Sequence, residues 1–303
     1  MTGLTDFQRN ISEMLADVEL RFHEPMSKHT SFRIGGGAEV MAFPKNREEL
    51  ARILKVSALM DIKPAILGAG TNVLAPDAGI SGLVICLKDC LSGMEQLDGD
   101  RIRVAAGVTM TRAAVFAANL GLAGMEFAHG IPGTIGGGIY MNAGAYGGEL
   151  KDICESVDVM DLQGNVRTLT NEQMGFSYRH SMLEENPGIV VGAIFRLNPM
   201  EPEQIKAKMK ELQGKRTAAQ PLDLPSAGSA FKRPVGGFAA ALIDQAGLKG
   251  YTVGGAAIST KHAGFAVNIG GATARDVQDL LQQVSDIVFE KSGIRLESEI
   301  RIW

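Results

Sequence analysis

The most suggestive residue in this 303-residue chain is a hydroxyl set beside positive charge. Ser229 stands in Ala227-Gly228-Ser229-Ala230-Phe231-Lys232-Arg233-Pro234, without the GxSxG elbow that would sharpen it into a nucleophile. Neighbouring cations favour loss of the hydroxyl proton, so the pattern suits giving a proton to a carbanion better than attacking a carbonyl. An ordinary turn serine has similar flanks, and the local residues leave both readings open. Arg179, in Phe176-Ser177-Tyr178-Arg179-His180-Ser181, offers a planar guanidinium able to grip a carboxylate at two points. By itself it reads as a surface arginine. At the C-terminus Arg295, Glu297, Glu299 and Arg301 alternate with apolar residues, which predicts one charged face on a strand from Arg295 to Trp303, read first as a solvated face. His129, His180 and His262 are scattered without HExxH or triad spacing, and no metal site is expected.

Two glycine-rich segments suggest what these side chains act beside. Gly130 to Gly148, GIPGTIGGGIYMNAGAYGG, holds eight glycines in nineteen residues. Glycine permits positive φ and puts no side chain between backbone and ligand, so such density marks close approach to something anionic. Leu67 to Leu74, LGAGTNVL, has the same character after the apolar run from Pro64. Neither is a Walker loop or a full GxGxxG. Two phosphate-type loops in one chain point to a dinucleotide, against the plainer alternative of two tight turns where elements pack closely.

The elements that must position these residues follow from periodicity. Phe7, Ile11, Met14, Leu15 and Val18 predict a helix over 5–20 within an N-terminal segment 1–21. Next come a strand from Ala38 to Phe43 and a helix capped by Asn46. Strands then run from Gly82 to Leu87 and from Asp100 to Ala106, the latter ending in Gly107. Thr109 or Thr111 caps a helix that Gly121 terminates, Ile153 to Leu169 reads as a hairpin turning at Gln163-Gly164-Asn165, and Gly188 to Leu197 is a strand. Asn198-Pro199-Met200-Glu201-Pro202 reads as a boundary, which gives an α+β domain over 22–198 and a smaller one over 199–303. The second holds helices over 203–217, 238–246 and 273–291, a strand from Phe265 to Asn268, and the charged C-terminal strand.

Composition narrows the class. A chain 45% hydrophobic and 21% charged, with net charge −4, gives no reason to expect nucleic acid or an anionic membrane surface as partner. Cys86, Cys90 and Cys154 lack CxxC or Cys/His spacing, which fits a reducing cytoplasm rather than a disulfide framework or structural zinc. The N-terminus lacks the basic start and apolar run of a signal peptide, and no stretch of ~18 apolar residues occurs, so neither export nor membrane insertion is expected.

Taken together and in order, the motifs resemble the UDP-N-acetylenolpyruvoylglucosamine reductase (MurB) family. The marks are Thr30-Ser31-Phe32-Arg33-Ile34-Gly35-Gly36, Leu67-Gly68-Ala69-Gly70-Thr71-Asn72, Gly130-Ile131-Pro132-Gly133 with Gly136-Gly137, and Met141-Asn142-Ala143-Gly144-Ala145-Tyr146-Gly147. Tyr178-Arg179-His180-Ser181, Gly228-Ser229-Ala230-Phe231-Lys232 and Glu299-Ile300-Arg301 complete them. The resemblance implies an FAD-binding domain of the vanillyl-alcohol-oxidase (PCMH) type followed by a smaller α+β substrate-binding domain, with NADPH as hydride donor and a nucleotide sugar as substrate. It implies a catalytic set of Arg179, Ser229 and Glu299. Expected FAD contacts are Gly68, Ala69, Gly70, Thr71, Asn72, Gly107, Gly130, Ile131, Pro132, Gly133, Thr134, Gly136, Gly137, Asn142 and Gly144. Tyr178, Lys232 and Arg233 are expected at the substrate, in a cytoplasmic monomer or weak oligomer.

The chemistry agrees with that set. Hydride delivered to the methylene carbon of an enolpyruvyl ether leaves charge beside a carboxylate, as an aci-carboxylate; Arg179 can stabilise it and Ser229 can protonate the carbon. Glu299 helps if protonated, or by orienting a water or the arginine, and the sequence leaves these open. Arg233 stands where many members have asparagine, the chain ends directly after the glutamate strand, and no tyrosine-bearing flap is inserted between Arg179 and Ser229, all resembling the shorter, second type. Two other readings remain: a flavin oxidase of the same superfamily with His129 as covalent anchor, and a non-catalytic nucleotide-sugar module.

Overall fold

A computed structural model describes residues 4–303; the first three residues of the expected N-terminal segment lie outside the described residues. Helix Asp6–Met14 opens with a capping box, in which Thr5 and Gln8 each accept from the other's backbone N–H. The helix expected over 5–20 stops at Met14. Leu15 and Val18 continue the apolar spacing and are buried, but from Glu19 the chain forms strand Glu19–Pro25, whose backbone is satisfied by a neighbouring strand. Pairing with a distant segment is a gain that local periodicity does not register.

A four-stranded sheet runs in the order Glu19–Pro25, Gly37–Phe43, Ile80–Cys86, Ala65–Leu67, the last pair parallel. Helix Arg47–Leu59 connects strands Gly37–Phe43 and Ala65–Leu67. Asn46 caps it by accepting from Glu49 N–H at 2.8 Å, and Leu50, Ile53 and Leu54 supply its buried stripe. A five-stranded antiparallel sheet has the order Val166–Thr170, Cys154–Met160, Ile189–Arg196, Arg101–Ala105, Met94–Gln96. Its first two strands are the expected hairpin, whose turn is tied by Asp161 Oδ1 accepting from Gln163 and Asn165 N–H at 2.9 Å each. Helix Met110–Asn119 begins at Thr109, and Thr111 turns instead to the His129 carbonyl.

The described chain forms two compact units built from interleaved segments. One gathers the chain up to Phe22, Val40–Ala69 and Gly82–Lys215; the other gathers His23–Glu39, Gly70–Ser81 and Arg216–Trp303. The first packs around Leu50, Ile53, Ile85, Ile102, Val104, Ala117, Val191 and Phe195. The second draws Phe32, Ile34 and Leu74 from early in the chain onto Ile243, Val277, Leu280 and Val284. A single cut at residue 199 cannot express this, because Phe32 and Leu74 bury their side chains among residues of the last 90 positions.

In the second unit an antiparallel sheet runs Ser226–Ser229, Phe265–Asn268, Ala256–Ile258, Thr252–Val253. Helix Ala274–Ser292 lays its apolar stripe against that core. Thr273 caps it, and the Asp77 carboxylate accepts from the N–H groups of Ala274 at 2.7 Å and Arg275 at 3.1 Å, favourable at a positive helix end. The strand expected from Arg295 to Trp303 is not continuous. Lys232 N–H donates to the Glu297 carbonyl, Glu299 N–H donates to the Ala230 carbonyl, and only Arg301–Ile302 is strand, parallel to Val73–Leu74. Arg295 leaves that line altogether, pairing with Asp286 at 3.2 Å over the Phe289 ring, so the four charges do not share one face. Among the described residues no helix is long and apolar enough to cross a membrane.

Phe195 is fully buried in the middle of the five-stranded sheet, opposite Ile102 and Cys154. Phe195→Ala is expected to lower stability by ~3–5 kcal/mol through lost burial and an unfilled cavity. Urea unfolding should show a lower midpoint with an unchanged slope.

Candidate active site

In the first unit the two glycine-rich segments meet. A side chain at Gly68 would come within 2.8 Å of Thr134 Oγ1, and Thr134 in turn caps helix Ile135–Tyr140 by accepting from Gly137 N–H. Gly133 has φ +133°, a conformation L side chains avoid, and its carbonyl accepts from Met110 N–H. Gly107 lies so close to the Leu87 and Leu91 backbone that a Cβ would sit 2.7–2.9 Å from it, and Gly136 lies against Ala106. Gly68, Gly107, Thr134 and Gly136 are thus one neighbourhood. His129 Nδ1, at the entrance to the central segment, is buried and has no hydrogen-bond partner among the described residues.

Asn142, one of the expected FAD contacts, turns its side chain into the protein. Its side chain is fully buried, with Nδ2 donating to Glu149 Oε2 at 2.6 Å and to the Ser177 carbonyl at 2.9 Å, while Oδ1 accepts from Lys151 N–H at 3.0 Å. Both amide hydrogens and the oxygen are committed inside the protein, so the side chain fastens the Arg179 turn to the glycine-rich segment. Ser181 Oγ adds a second tie, to the Tyr140 carbonyl at 2.8 Å. Between these ties Ser177 and His180 exchange backbone hydrogen bonds around Tyr178-Arg179, and Arg179 takes φ +56°. A non-glycine residue in the left-handed region costs on the order of 1 kcal/mol and persists where its surroundings hold it. The guanidinium lies 5.3 Å from the centre of the exposed Tyr178 ring. Beside it, the Glu185 carboxylate 2.8 Å from His180 Nε2 holds that imidazole above its ordinary value, and Glu185 is correspondingly lowered.

In the second unit three expected segments converge. Gly70, at φ +62°, is packed so tightly that a Cβ would overlap the His29 carbonyl, and its own carbonyl accepts from Ser31 N–H. Two residues on, Asn72 Nδ2 donates to the Glu299 carbonyl at 3.2 Å and the Asn72 carbonyl accepts from Arg301 N–H at 3.0 Å. Glu299 N–H donates to the Ala230 carbonyl at 3.0 Å, while on the other edge Ala230 N–H donates to the Gly264 carbonyl at 2.8 Å. Ser229 thereby ends an edge strand paired with Phe265–Asn268, and the residues just after it are bonded on the other side, yet its hydroxyl makes no hydrogen bond among the described residues. The two glutamates separate cleanly: Glu297 is exposed and faces Lys232 Nζ at 3.7 Å, whereas Glu299 is half-buried. The Arg233 guanidinium lies 4.2 Å over the exposed Phe238 ring.

Comparison with known proteins places these segments. A family model for the C-terminal domain of UDP-N-acetylenolpyruvoylglucosamine reductase matches residues 220–303, and one for an FAD binding domain matches residues 38–170. A protein of Caldanaerobacter subterraneus subsp. tengcongensis named UDP-N-acetylenolpyruvoylglucosamine reductase is 46% identical over 96% of each chain. One of the same name from Lactobacillus acidophilus is 46% identical over 94% of this chain and 95% of its own. The chain belongs to the UDP-N-acetylenolpyruvoylglucosamine reductase family. The crystal structure of the Thermus caldophilus MurB reductase superposes with a TM-score of 0.80 at 36% identity, covering 94% of this chain and 98% of that one. The fold class expected from sequence, a PCMH-type FAD-binding domain with a C-terminal α+β domain, is the one found.

The residues present fit a dinucleotide. Where Gly68 meets Thr134 the walls are backbone and a hydroxyl, and the buried, unpartnered Nδ1 of His129 can pair with a polar group brought in from outside. Sequence reasoning missed the tie from Asn142 to Ser177, for which NAG within a glycine-rich run carries no signal, and Asp77 at the head of helix Ala274–Ser292.

Asn142→Ala is expected to cost ~1–3 kcal/mol by leaving buried partners unpaired. Hydrogen exchange at the His180 amide, which donates to Ser177, should quicken more than exchange in the Cys154–Met160 strand. A raised His180 means that its contribution to stability is present below the ordinary histidine value and is lost as pH rises through the raised one. Glu185, lowered, contributes above the ordinary carboxylate value and loses it as pH falls through the lowered one. NMR titration should give a His180 midpoint above that of an exposed histidine, and Glu185→Gln should bring it back down.

Proposed function

We propose that this protein reduces UDP-N-acetylglucosamine enolpyruvate to UDP-N-acetylmuramate, the peptidoglycan precursor, with NADPH as electron source, and that Arg179, Ser229 and Glu299 carry the reaction. FAD, when bound, accepts hydride from NADPH and delivers it to the methylene carbon of the enolpyruvyl ether. The observation that supports the residue assignment is Ser229 at the end of an edge strand, held on one side by Phe265–Asn268 and followed at once by the Ala230 and Lys232 bonds to Glu299 and Glu297, while its hydroxyl keeps its hydrogen-bonding capacity for a ligand.

Ser229 transfers its proton to the carbon that bears negative charge, completing the lactyl ether. Lys232 and Arg233, exposed on the same loop, carry positive charge that favours the anionic form of the serine and attracts the diphosphate of the sugar nucleotide. Arg179 pairs with the substrate carboxylate and takes up charge as it spreads onto those oxygens; the left-handed turn fixes where the guanidinium begins. Tyr178 lies along that guanidinium and contacts the substrate. Glu299 is assigned beside Ser229 because its backbone joins Ala230 directly, while Glu297 is spent on Lys232. We assign FAD to Gly68 through Asn72, to Gly107 and to the central glycine-rich segment, within the sequence domain 22–198, and the sugar nucleotide chiefly to 199–303. Membership of the reductase family removes the support for an oxidase anchored at His129 and for a non-catalytic module. We keep the protein in the cytoplasm, as a monomer or weak oligomer; Cys86, Cys90 and Cys154 are free thiols, which suits a reducing compartment.

Purified protein should be yellow, bleach with NADPH, and regain colour when the enolpyruvyl sugar nucleotide is added. Ser229→Ala should slow the recolouring step by ~10²–10⁴-fold with bleaching intact, and Arg179→Ala should slow it by ~10²–10³-fold. Equal recolouring rates in Ser229→Ala and wild type would remove the proton-donor role.

A further inference from the structure

We propose that His262 is a positioning residue for the proton transfer, donating a hydrogen bond from Nε2 through one bridging water to the oxygen that Ser229 uncovers when it gives up its proton. The inference rests on the function proposed above and adds a residue to it.

The sheet register carries the argument. Ser229 lies opposite Phe265 in the antiparallel pair of Ser226–Ser229 with Phe265–Asn268, and residues directly opposite present their side chains on one face with Cβ atoms ~5 Å apart. Ala230 and Ala266, the neighbours of that pair, are buried in the main core of the unit together with helix Ala274–Ser292. Phe265 instead packs with Val267 and Ala257 in a separate small cluster, so Ser229 and Phe265 share the face turned away from that helix. The imidazole of His262 stands edge-on to the Phe265 ring, with centroids 5.1 Å apart at 79°. Its Nδ1 accepts from Gly264 N–H at 3.1 Å, and a side chain at Gly264 would meet the ring at 3.0 Å, so this glycine lets backbone and imidazole close together.

That bond decides the tautomer. With Nδ1 accepting, the neutral ring carries its proton on Nε2, which has no partner among the described residues. Burial and the charge of Lys249 oppose protonation of the ring, so His262 stays a neutral donor. Both nearby lysines are engaged elsewhere, Lys261 Nζ on the Thr217 carbonyl at 2.7 Å and Lys249 Nζ on Asp244 at 2.7 Å, and the Ser259 hydroxyl accepts from the Lys261 and His262 N–H groups. In the step itself the Ser229 O–H bond breaks as a C–H bond forms on the substrate, the O–H electron pair stays on Oγ, and solvent later returns a proton. A donor facing Oγ lowers the cost of that anion. A proton relay through the ring is ruled out by the Gly264 bond, which leaves Nδ1 no proton to pass on.

Asparagine and glutamine divide the two nitrogens. In His262→Asn the amide oxygen can replace Nδ1 at Gly264 while the outward donor is lost, and in His262→Gln the amide nitrogen reaches the place of Nε2. Stopped-flow absorbance of the holoenzyme separates bleaching by NADPH from recolouring by the enolpyruvyl sugar nucleotide. For His262→Asn we expect recolouring slowed ~10–100-fold with bleaching unchanged, and for His262→Gln recovery to within about threefold of wild type. Wild-type recolouring in His262→Asn, an equal slowing in both variants, or a matching loss in both half-reactions would overturn the inference. Failure of the wild-type protein to recolour would instead overturn the proposed function.

Discussion

The arrangement depends on one short run, Ala230 to Lys232, being bonded on both edges just past the strand that carries Ser229. Ala230 donates on one side to Gly264 and accepts on the other from Glu299, and Lys232 extends the second edge to Glu297. Backbone bonds of this kind leave side chains to alternate, so Ala230 goes into the core while Ser229 faces the other way. A loop serine samples many orientations, and fixing it before substrate arrives removes an entropic cost from the reaction. The same edge brings Glu299 into the neighbourhood through its backbone, whatever its carboxyl group is doing, and Asn72 then grips the Glu299 carbonyl. Asn72, Ser229 and Glu299, proposed as cofactor contact, proton donor and acidic partner, are coupled by a few hydrogen bonds.

Such coupling requires early segments of the chain to belong to the late unit. Gly70 shows the constraint at its sharpest, because the His29 carbonyl occupies the space any side chain would need. Asp77 caps helix Ala274–Ser292 from nearly two hundred residues away, and Leu74 is buried in the same core. The first glycine loop is therefore anchored by tertiary bonds on its C-terminal side. An ordinary turn glycine asks only for positive φ; Gly70 also needs an absent side chain, because the chain packs closely there.

Local signals in the sequence were legible where local physics decides. Asn46 and Thr109 cap the helices expected of them, Asp161 to Asn165 turns the hairpin, and Phe265 to Asn268 is a strand with the expected ends. Long-range pairing was not legible. Leu15 and Val18 keep a helical spacing beyond the helix end at Met14, and charges alternate along 295–303 regardless of which partner holds each stretch. At the site, the identity of the chemical residues came from their order along the chain, whereas Asn142 shows what order cannot convey. Its sequence context announces glycine-loop chemistry, and only the fold reveals that every polar atom of its side chain is spent on Glu149, Ser177 and Lys151.

Asn142 also explains how a strained arginine is kept. The left-handed backbone at Arg179 would relax if the turn could open, since a glycine or asparagine, more at home there, is absent. Opening would break the Asn142 bond to the Ser177 carbonyl and the Ser181 bond to the Tyr140 carbonyl, and it would leave one hydrogen of the buried Asn142 amide without its partner. Each of those losses is comparable to the strain itself, so the turn is held closed by more than it stores. Because Asn142 and Tyr140 belong to the glycine-rich segment, the Arg179 turn and that segment share one mount within the first unit.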